Sequence, residues 1–462
     1  MITIQMGNVV SKLNNVNQFN NLPFIIAKKL SYEAGSFFGE KKTKLLFNIK
    51  TGVTYTGLIP HVISILNKLD ISYNIIDLRK KPESTAGFKI VKPFMPRDYQ
   101  KEIIDNASSR EIIQAATGAG KTFIMASLIA KFNVKPVLVI APKVSLALQI
   151  KDEFEKFLGI PIGIIGGGYN QIEDITISTP QSAPAKLIEN ANALFIDEAH
   201  SIPQNTIFNI CRKAKNAYYR IGVSATPWRD DGSDLLIEAA LNIRKPNLSI
   251  NASKLIKKQK LSPCQINFVT IDNSNVDWKG NYFDTYESAI VNNEFRNNKI
   301  VDLAIKSIKE NRTLLILVQT IKHGEIILEK LKNNIDIDKK ATTVNGNNFI
   351  VNNIEFVNGS YDAIERDAVF NAVRQGFTKI LIGTTIADEG LDCPPLDTLI
   401  LAGSGKSSTK AFQRVGRVLR LYKGKTNAIV YDFRDMQKTF YRHFLYRKAL
   451  YETEPEWEIN YI

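Results

Sequence analysis

One segment narrows the possible folds more than any other. A short apolar strand, Glu111–Gln114, runs into Ala115-Ala116-Thr117-Gly118-Ala119-Gly120-Lys121-Thr122, and an apolar helix follows. In a strand, Gly-rich loop, helix unit the loop N–H groups point inward onto phosphate oxygens, and the helix N-terminus adds a favourable dipole. Gly118 and Gly120 let the backbone approach and turn where a Cβ would clash. Lys121 reaches the β- and γ-phosphates, and the Thr122 hydroxyl suits Mg²⁺. Thr117, Gly118, Ala119, Gly120, Lys121 and Thr122 are therefore the expected nucleotide cradle. The general pattern has Gly five residues before Gly120; Ala115 stands there, and the TGxGKT core is intact.

Around this segment the chain alternates helical and strand patterns, as a parallel α/β domain does. Strands are expected at Val137–Ala141, Ile175–Ser178, Ala193–Ile196 and Tyr219–Ser224, completing a domain over residues 93–230. The pattern weakens over residues 231–292, a polar stretch rich in Asn and Lys that reads as a connector with a few strands. A second α/β series spans 293–435, with strands at Leu314–Gln319, Lys379–Gly383, Thr398–Ala402 and Ala428–Phe433. Residues 436–462 read as an aromatic-rich helical tail. Ahead of both series, residues 1–92 form a small α+β unit. It has strands at Leu45–Ile49, Val53–Tyr55 and Ser72–Leu78, a helix over Pro60–Leu69, and a linker starting at Arg79-Lys80-Lys81-Pro82.

The strand Ala193–Ile196 ends in Asp197-Glu198-Ala199-His200. Ligands bind at the carboxyl ends of parallel strands, where this acidic pair falls. Asp197 is expected to hold Mg²⁺ and Glu198 to polarise an attacking water. His200 is expected to link the nucleotide site to Ser224-Ala225-Thr226 rather than to bind metal, with Ser224 and Thr226 as its coupling partners. Alone, an Asp-Glu pair is more often a solvated loop; the phosphate loop upstream reverses those odds.

Charge points the same way. Across 462 residues, 60 Lys and Arg face 46 Asp and Glu, a net +14. Residues 1–92 hold 13 Lys/Arg against 5 Asp/Glu. Such an excess suits a polyanionic partner, and it concentrates in the amino-terminal unit. Cys211, Cys264 and Cys393 are too scattered for a metal-ligand pair and fit a reducing compartment. No apolar run is long enough to span a bilayer, and the amino terminus carries no secretory pattern, so a cytoplasmic protein is expected.

These residues together resemble the superfamily-two helicases whose second motif spells DEAH, over residues 94–433. Arg97-Asp98-Tyr99-Gln100 resembles the adenine-recognising Q-type motif, implying that Gln100, with Arg97, contacts the base. Ala116–Thr122 matches motif I. Ala141-Pro142-Lys143 resembles motif Ia, and Ser178-Thr179-Pro180-Gln181-Ser182 motif Ib. Asp197–His200 matches motif II and Ser224-Ala225-Thr226 motif III. Thr384 to Asp392 resembles motif V, and Gln413 to Arg420 fits QxxGRxxR, motif VI. The resemblance implies two tandem RecA-like parallel-sheet domains of the P-loop NTPase class behind the α+β accessory domain. It implies ATP and Mg²⁺ as cofactors. Phosphoryl transfer spreads charge over the γ-phosphate, which a guanidinium can pair with. Arg417 and Arg420 are the implied finger and partner, three apart and on one face if helical. Gln413 would contact nucleotide or the attacking water, and Asp392 the ribose. Lys143, Thr179 and Thr384 would grip the nucleic-acid backbone, independently of sequence.

Within that superfamily, Thr56-Gly57-Leu58, the following amphipathic helix and Ile76-Asp77-Leu78-Arg79 look like the UvsW-like branch-migration helicases of phages. Val418-Leu419-Arg420 with Gly424-Lys425 is similar to that group and to the XPB-like helicases. The implied partner is DNA with forks, four-way junctions or R-loops. The implied form is a monomer, working alongside recombination proteins in the cytoplasm of a host if the chain is viral. Residues 1–92 would recognise the branch point. Three alternatives stay open: an RNA helicase, the motor subunit of a restriction-type complex, and an ATP-dependent clamp. A clamp could dispense with Glu198, and no nuclease motif is evident.

Overall fold

The structure is a computed structural model and describes residues 1–35, 41–228, 232–243, 245, 248–278, 280–344, 346–384, 393–405 and 407–462. It divides into two compact units, Met1–Ile250 and Asn251–Ile462.

The first unit opens with a five-stranded sheet in the order Phe47–Asn48, Val53–Tyr55, Val10–Asn14, Ile2–Met6, Tyr73–Asp77. Neighbours are antiparallel except the last pair, which is parallel. Ile2, Ile4 and Leu13 alternate onto one face and are buried, as a two-residue period requires. Helices Leu22–Lys29 and Ile59–Lys68 cover that face with Ile26, Val62 and Leu66. The strand expected over Leu45–Ile49 is split. Lys41–Leu45 pairs with Ser31–Gly35 in a separate hairpin, and only Phe47–Asn48 joins the sheet. Phe47 is buried in the core while Leu45 is half exposed, so one continuous strand would have misplaced one of them.

This accessory core is not closed on itself. Ala239, from the helix Asp234–Ala240, completes it, and Phe208 and Leu235 pack against it. A Cβ on Gly57 would lie 1.9 Å from the Glu238 carbonyl oxygen, so only glycine admits this approach. The His61 imidazole meets the Glu238 carboxylate at 2.7 Å.

The larger sheet of the first unit runs Tyr169–Gln171, Gly163–Gly166, Ile175–Ser178, Val137–Ile140, Ala193–Asp197, Tyr219–Ser224, Arg110–Ala115, Ser249–Ile250. All neighbours are parallel except the first pair. Its central strands are buried along their length because helices cover both faces, which is why they read as unbroken apolar runs.

The second unit carries a seven-stranded sheet in the order Ile354–Val357, Ile380–Gly383, Leu314–Leu317, Thr398–Leu401, Ala428–Asp435, Cys264–Ile271, Trp457–Tyr461. Every pairing is parallel. Two elements go beyond what the sequence specifies. Cys264–Ile271, from the stretch read as a connector, is an inner strand paired on both sides. The tail holds the helix Lys438–Tyr451, whose Phe440, Phe444 and Tyr451 are buried, and then a strand, Trp457–Tyr461, at the sheet edge. A hairpin, Lys339–Val344 with Asn347–Asn352, packs on the helix Ala363–Arg374. All three cysteines are free and buried, and burial pushes the Cys211 and Cys393 thiols up to about 11, so they are inert packing groups at neutral pH. Among the described residues, no helix is long and apolar enough to cross a membrane.

Candidate functional site

In the first unit, parallel pairing brings the expected residues to one edge. The strand Arg110–Ala115 ends in the phosphate loop and Ala193–Asp197 in the acidic pair. Tyr219–Ser224 ends in the Ser-Ala-Thr segment, Val137–Ile140 leads to Lys143, and Ile175–Ser178 to Thr179. Residues far apart in sequence thus share a rim because their strands share a direction.

The loop is built as its glycines demanded. Gly118 and Gly120 have φ of +84° and +79°, and the helix Lys121–Phe132 starts directly after. A Cβ on Gly120 would come 2.6 Å from Gln100 Nε2. Gln100 is buried, its Oε1 accepts from the Arg97 N–H at 2.8 Å, and its Nε2 donates to the Ala119 carbonyl at 2.9 Å. Tyr99 also donates to that carbonyl, at 3.2 Å, and Arg97 Nη1 donates to the Tyr99 hydroxyl at 2.9 Å. The Q-type segment therefore braces the phosphate loop from behind. For Gln100 to read adenine, one of its two bonds would have to open. Tyr99 stands inside the Q-type segment, and the sequence alone gives it no separate role.

The charged centre is compact. Lys121 Nζ pairs with Glu198 Oε1. Glu198 Oε2 accepts from Ser224 Oγ at 3.2 Å and lies 3.3 Å from His200 Nδ1. His200 Nδ1 meets Ser224 Oγ at 3.1 Å, and the Thr226 N–H donates to Ser224 Oγ at 3.2 Å. The expected coupling trio is thus one hydrogen-bonded group, and it reaches Glu198 directly. Glu198 sits at φ +53°, and Ser201 Oγ donates to its carbonyl at 2.7 Å. A left-handed backbone at a non-glycine residue is costly and clusters at functional sites. Ser201 was invisible beforehand, since a serine after the acidic motif carries no pattern.

Burial raises Asp197 to about 6, against the pull of Lys121. Burial also pushes Glu198 up, but Lys121 and His200 outweigh it and hold that carboxylate ionised. Thr122 and Asp197 supply hydroxyl and carboxylate oxygens, the hard donors Mg²⁺ takes, at the foot of a cradle that glycine keeps open. Lys143 is exposed at the start of the helix Val144–Leu158. Thr179 is buried, its hydroxyl donating to Ser182 Oγ at 3.1 Å, so its side chain serves the loop first.

In the second unit, Thr384 follows the strand Ile380–Gly383, buried, with its N–H on the Val357 carbonyl at 3.2 Å. Asp392 and the rest of motif V, residues 385–392, lie outside the described residues. Gln413 and Arg417 ride the helix Ser408–Val418, but Arg420 lies beyond its end, so the two arginines do not share a helical face. Lys425 holds that end. Its ammonium donates to the carbonyls of Val418 at 2.6 Å, Arg420 at 2.9 Å and Leu396 at 2.7 Å. Burial lowers it to about 8. The Gly424-Lys425 pair was noticed only as a resemblance; its capping role needed the fold.

A Gly-rich loop and an acidic pair at the carboxyl edge of one parallel sheet, and a second parallel sheet in tandem, define a P-loop NTPase with two RecA-like domains. Residues 93–229 match the family described as type III restriction enzyme, res subunit, and residues 296–422 match the helicase conserved C-terminal domain. The chain is 26% identical to the DNA 3'-5' translocase XPB2 of Sulfurisphaera tokodaii, over 76% of this chain and 83% of that one. It is 25% identical to the ATP-dependent DNA helicase uvsW of Enterobacteria phage T4, over 77% of this chain and 71% of the relative. Saccharomyces cerevisiae Dbp5, solved bound to RNA and ADP BeF3, shares the fold at a TM-score of 0.53 and 17% identity, over 80% and 90% of the two chains. The chain is a superfamily-two helicase, an ATP-using enzyme that acts on nucleic acid.

Proposed function

We propose that this chain is a DNA helicase or translocase that remodels branched DNA by branch migration, fork regression or R-loop unwinding, in recombination, repair or replication. The observation that supports this most is the accessory sheet. It lies within the basic stretch 1–92 and shares its core with the motor helix Asp234–Ala240. A motor that only tracked a single strand would need no such attachment. The names of the XPB2 and uvsW relatives fit a DNA substrate.

In this reading Lys121 and the loop N–H groups would hold the ATP phosphates, and Thr122 and Asp197 would hold Mg²⁺, which when bound would offset negative charge there. Glu198 takes a proton from the attacking water, kept ionised for that task by Lys121 and His200. Arg417 and Arg420 pair with the γ-phosphate, Gln413 orients the water, and Asp392 touches the ribose. Lys143, Thr179 and Thr384 contact the strand backbone. The enzyme works as a monomer. ATPase and unwinding measured on single strand, fork, four-way junction and R-loop test this. Preference for the branched forms is expected, and equal rates on single strand and junction would remove the branched-DNA assignment.

A further inference from the structure

Away from the nucleotide edge, at the amino-terminal ends of the same strands, the accessory sheet and the motor domain enclose a cleft of about 680 Å³. Asn8, Val10 and Tyr55 line its accessory side; Arg212, Lys213 and Lys215 line its motor side. Glu189 is the one acidic residue on the described wall. All three cations are exposed, and among the described residues none has a carboxylate partner. They crowd the last turn of the helix Asn205–Lys213 and the segment after it. Helix carbonyls alone make such a turn mildly welcoming to cations, but this turn is already occupied. Arg220, fully buried, donates to the carbonyls of Cys211 at 2.8 Å, Ala217 at 3.1 Å and also Ala214.

Arg110, its register neighbour on the next strand, is buried too. It donates to the carbonyls of Leu241 at 2.8 Å, Ala240 at 3.0 Å and Asn8 at 2.8 Å. Neither arginine has a carboxylate partner among the described residues. Burial lowers both, Arg220 to about 10. Two buried guanidiniums, held by carbonyls and, among the described residues, by no carboxylate, thus lie beneath three exposed cations. Asn8 ties the seam together, since its Nδ2 also donates to the Lys215 carbonyl at 3.1 Å. On the flank Arg79 is neutralised by Asp77 at 2.7 Å, but Lys80 and Lys81 follow it, exposed.

The aromatics here are engaged. Tyr55 sits edge-on to Phe208 at 5.3 Å, and Tyr218 lies between Tyr219 and the Arg79 guanidinium. Single-strand sites stack bases on free aromatic faces; this cleft offers charge instead. The geometry points to a second nucleic-acid site, in which the seam cleft grips the phosphodiester backbone of a duplex DNA arm while the motor works elsewhere. It rests on the reading that the substrate carries duplex arms.

The test uses the full chain with Arg212→Gln, Lys213→Gln and Lys215→Gln combined, all exposed positions. Affinity is titrated against salt for a forked DNA with duplex arms and for a single strand of equal length. Loss of three phosphate contacts predicts a salt slope shallower by about 2–3 for the fork and roughly tenfold weaker binding. Single-strand affinity and single-strand-stimulated ATPase stay as in the unaltered chain, and Lys213→Arg with Lys215→Arg retains fork binding. An unchanged fork slope, or an equal loss on single strand, overturns the seam site. If the unaltered chain shows no preference for branched DNA, yet the variant loses duplex affinity alone, the branched-DNA assignment falls and the seam site stands.

Discussion

Each of the two units carries its own largely parallel sheet, and they differ in what they do with charge. At the carboxyl edge of the first, Lys121, Glu198 and His200 are partly accessible and form one bonded group with the buried Ser224, so a phosphate can enter by replacing one partner. In the second unit two ion pairs are sealed. Arg296 meets Asp435 at 2.9 Å with neither side chain exposed, and Arg447 grips both oxygens of Asp432 at 2.8 Å. Both reach the loop Gly403–Gly405: Arg296 through Ser404 Oγ at 2.8 Å, Arg447 through the Gly405 carbonyl at 2.9 Å. Tyr286 holds the Gly403 carbonyl at 3.1 Å. That loop precedes the Ser408–Val418 helix, so charge here fixes the platform for Gln413 and Arg417. The same topology carries a centre free to exchange partners and a frame that is not.

If the first edge is chemical, Glu198→Gln should give the largest effect. Removing a general base costs about 10²–10⁴-fold in rate, while the neutral amide keeps the shape. Turnover in steady-state ATPase assays should collapse with nucleotide binding retained; normal turnover would take Glu198 out of its role. If the second frame is structural, Arg447→Met should cost about 3–5 kcal/mol of stability, because Asp432 is left buried with, among the described residues, only the Tyr451 hydroxyl and the Phe433 N–H. Denaturant unfolding reads this. A small loss would mean that the pair is dispensable, and the contrast between the units would fail.

Much of this contrast was unreadable in the sequence, for physical reasons. Buried parallel strands advertise themselves as apolar runs, so Val137–Ile140, Ala193–Asp197 and Leu314–Leu317 were legible, and the glycines of the phosphate loop announced their own backbone. Cys264–Ile271 was not, since Gln265, Asn267 and Thr270 interrupt it and only its two parallel partners make it a strand. Trp457–Tyr461 pairs with a strand nearly two hundred residues away, a contact no local pattern encodes. Arg447 sits in the aromatic-rich helical tail, where no local pattern marks its guanidinium as buried. Arg110 and Arg220 look like strand-end surface charges for the same reason.

Gly120→Ala sharpens the first region at lower cost. At φ +79° an alanine is strained by about 1–2 kcal/mol, and its Cβ would push Gln100 Nε2 off the Ala119 carbonyl. A raised KM for ATP with a modest stability loss is expected. Equal KM would show that the brace by Gln100 does not shape the loop.

Ser224→Ala should be the mildest and the most informative about coupling. Its hydroxyl bonds Glu198, His200 and the Thr226 N–H, each at 3.1–3.2 Å. Hydrogen bonds of this kind contribute about 0.5–1.5 kcal/mol each, so basal ATPase should fall only a few-fold. Glu198 keeps Lys121 and His200, which hold its charge. What is lost is the link from the carboxylate to the Thr226 segment, so strand separation per ATP hydrolysed should fall further than hydrolysis itself. If both fall in proportion, Ser224 merely supports Glu198, and the trio belongs to the catalytic edge rather than to transmission.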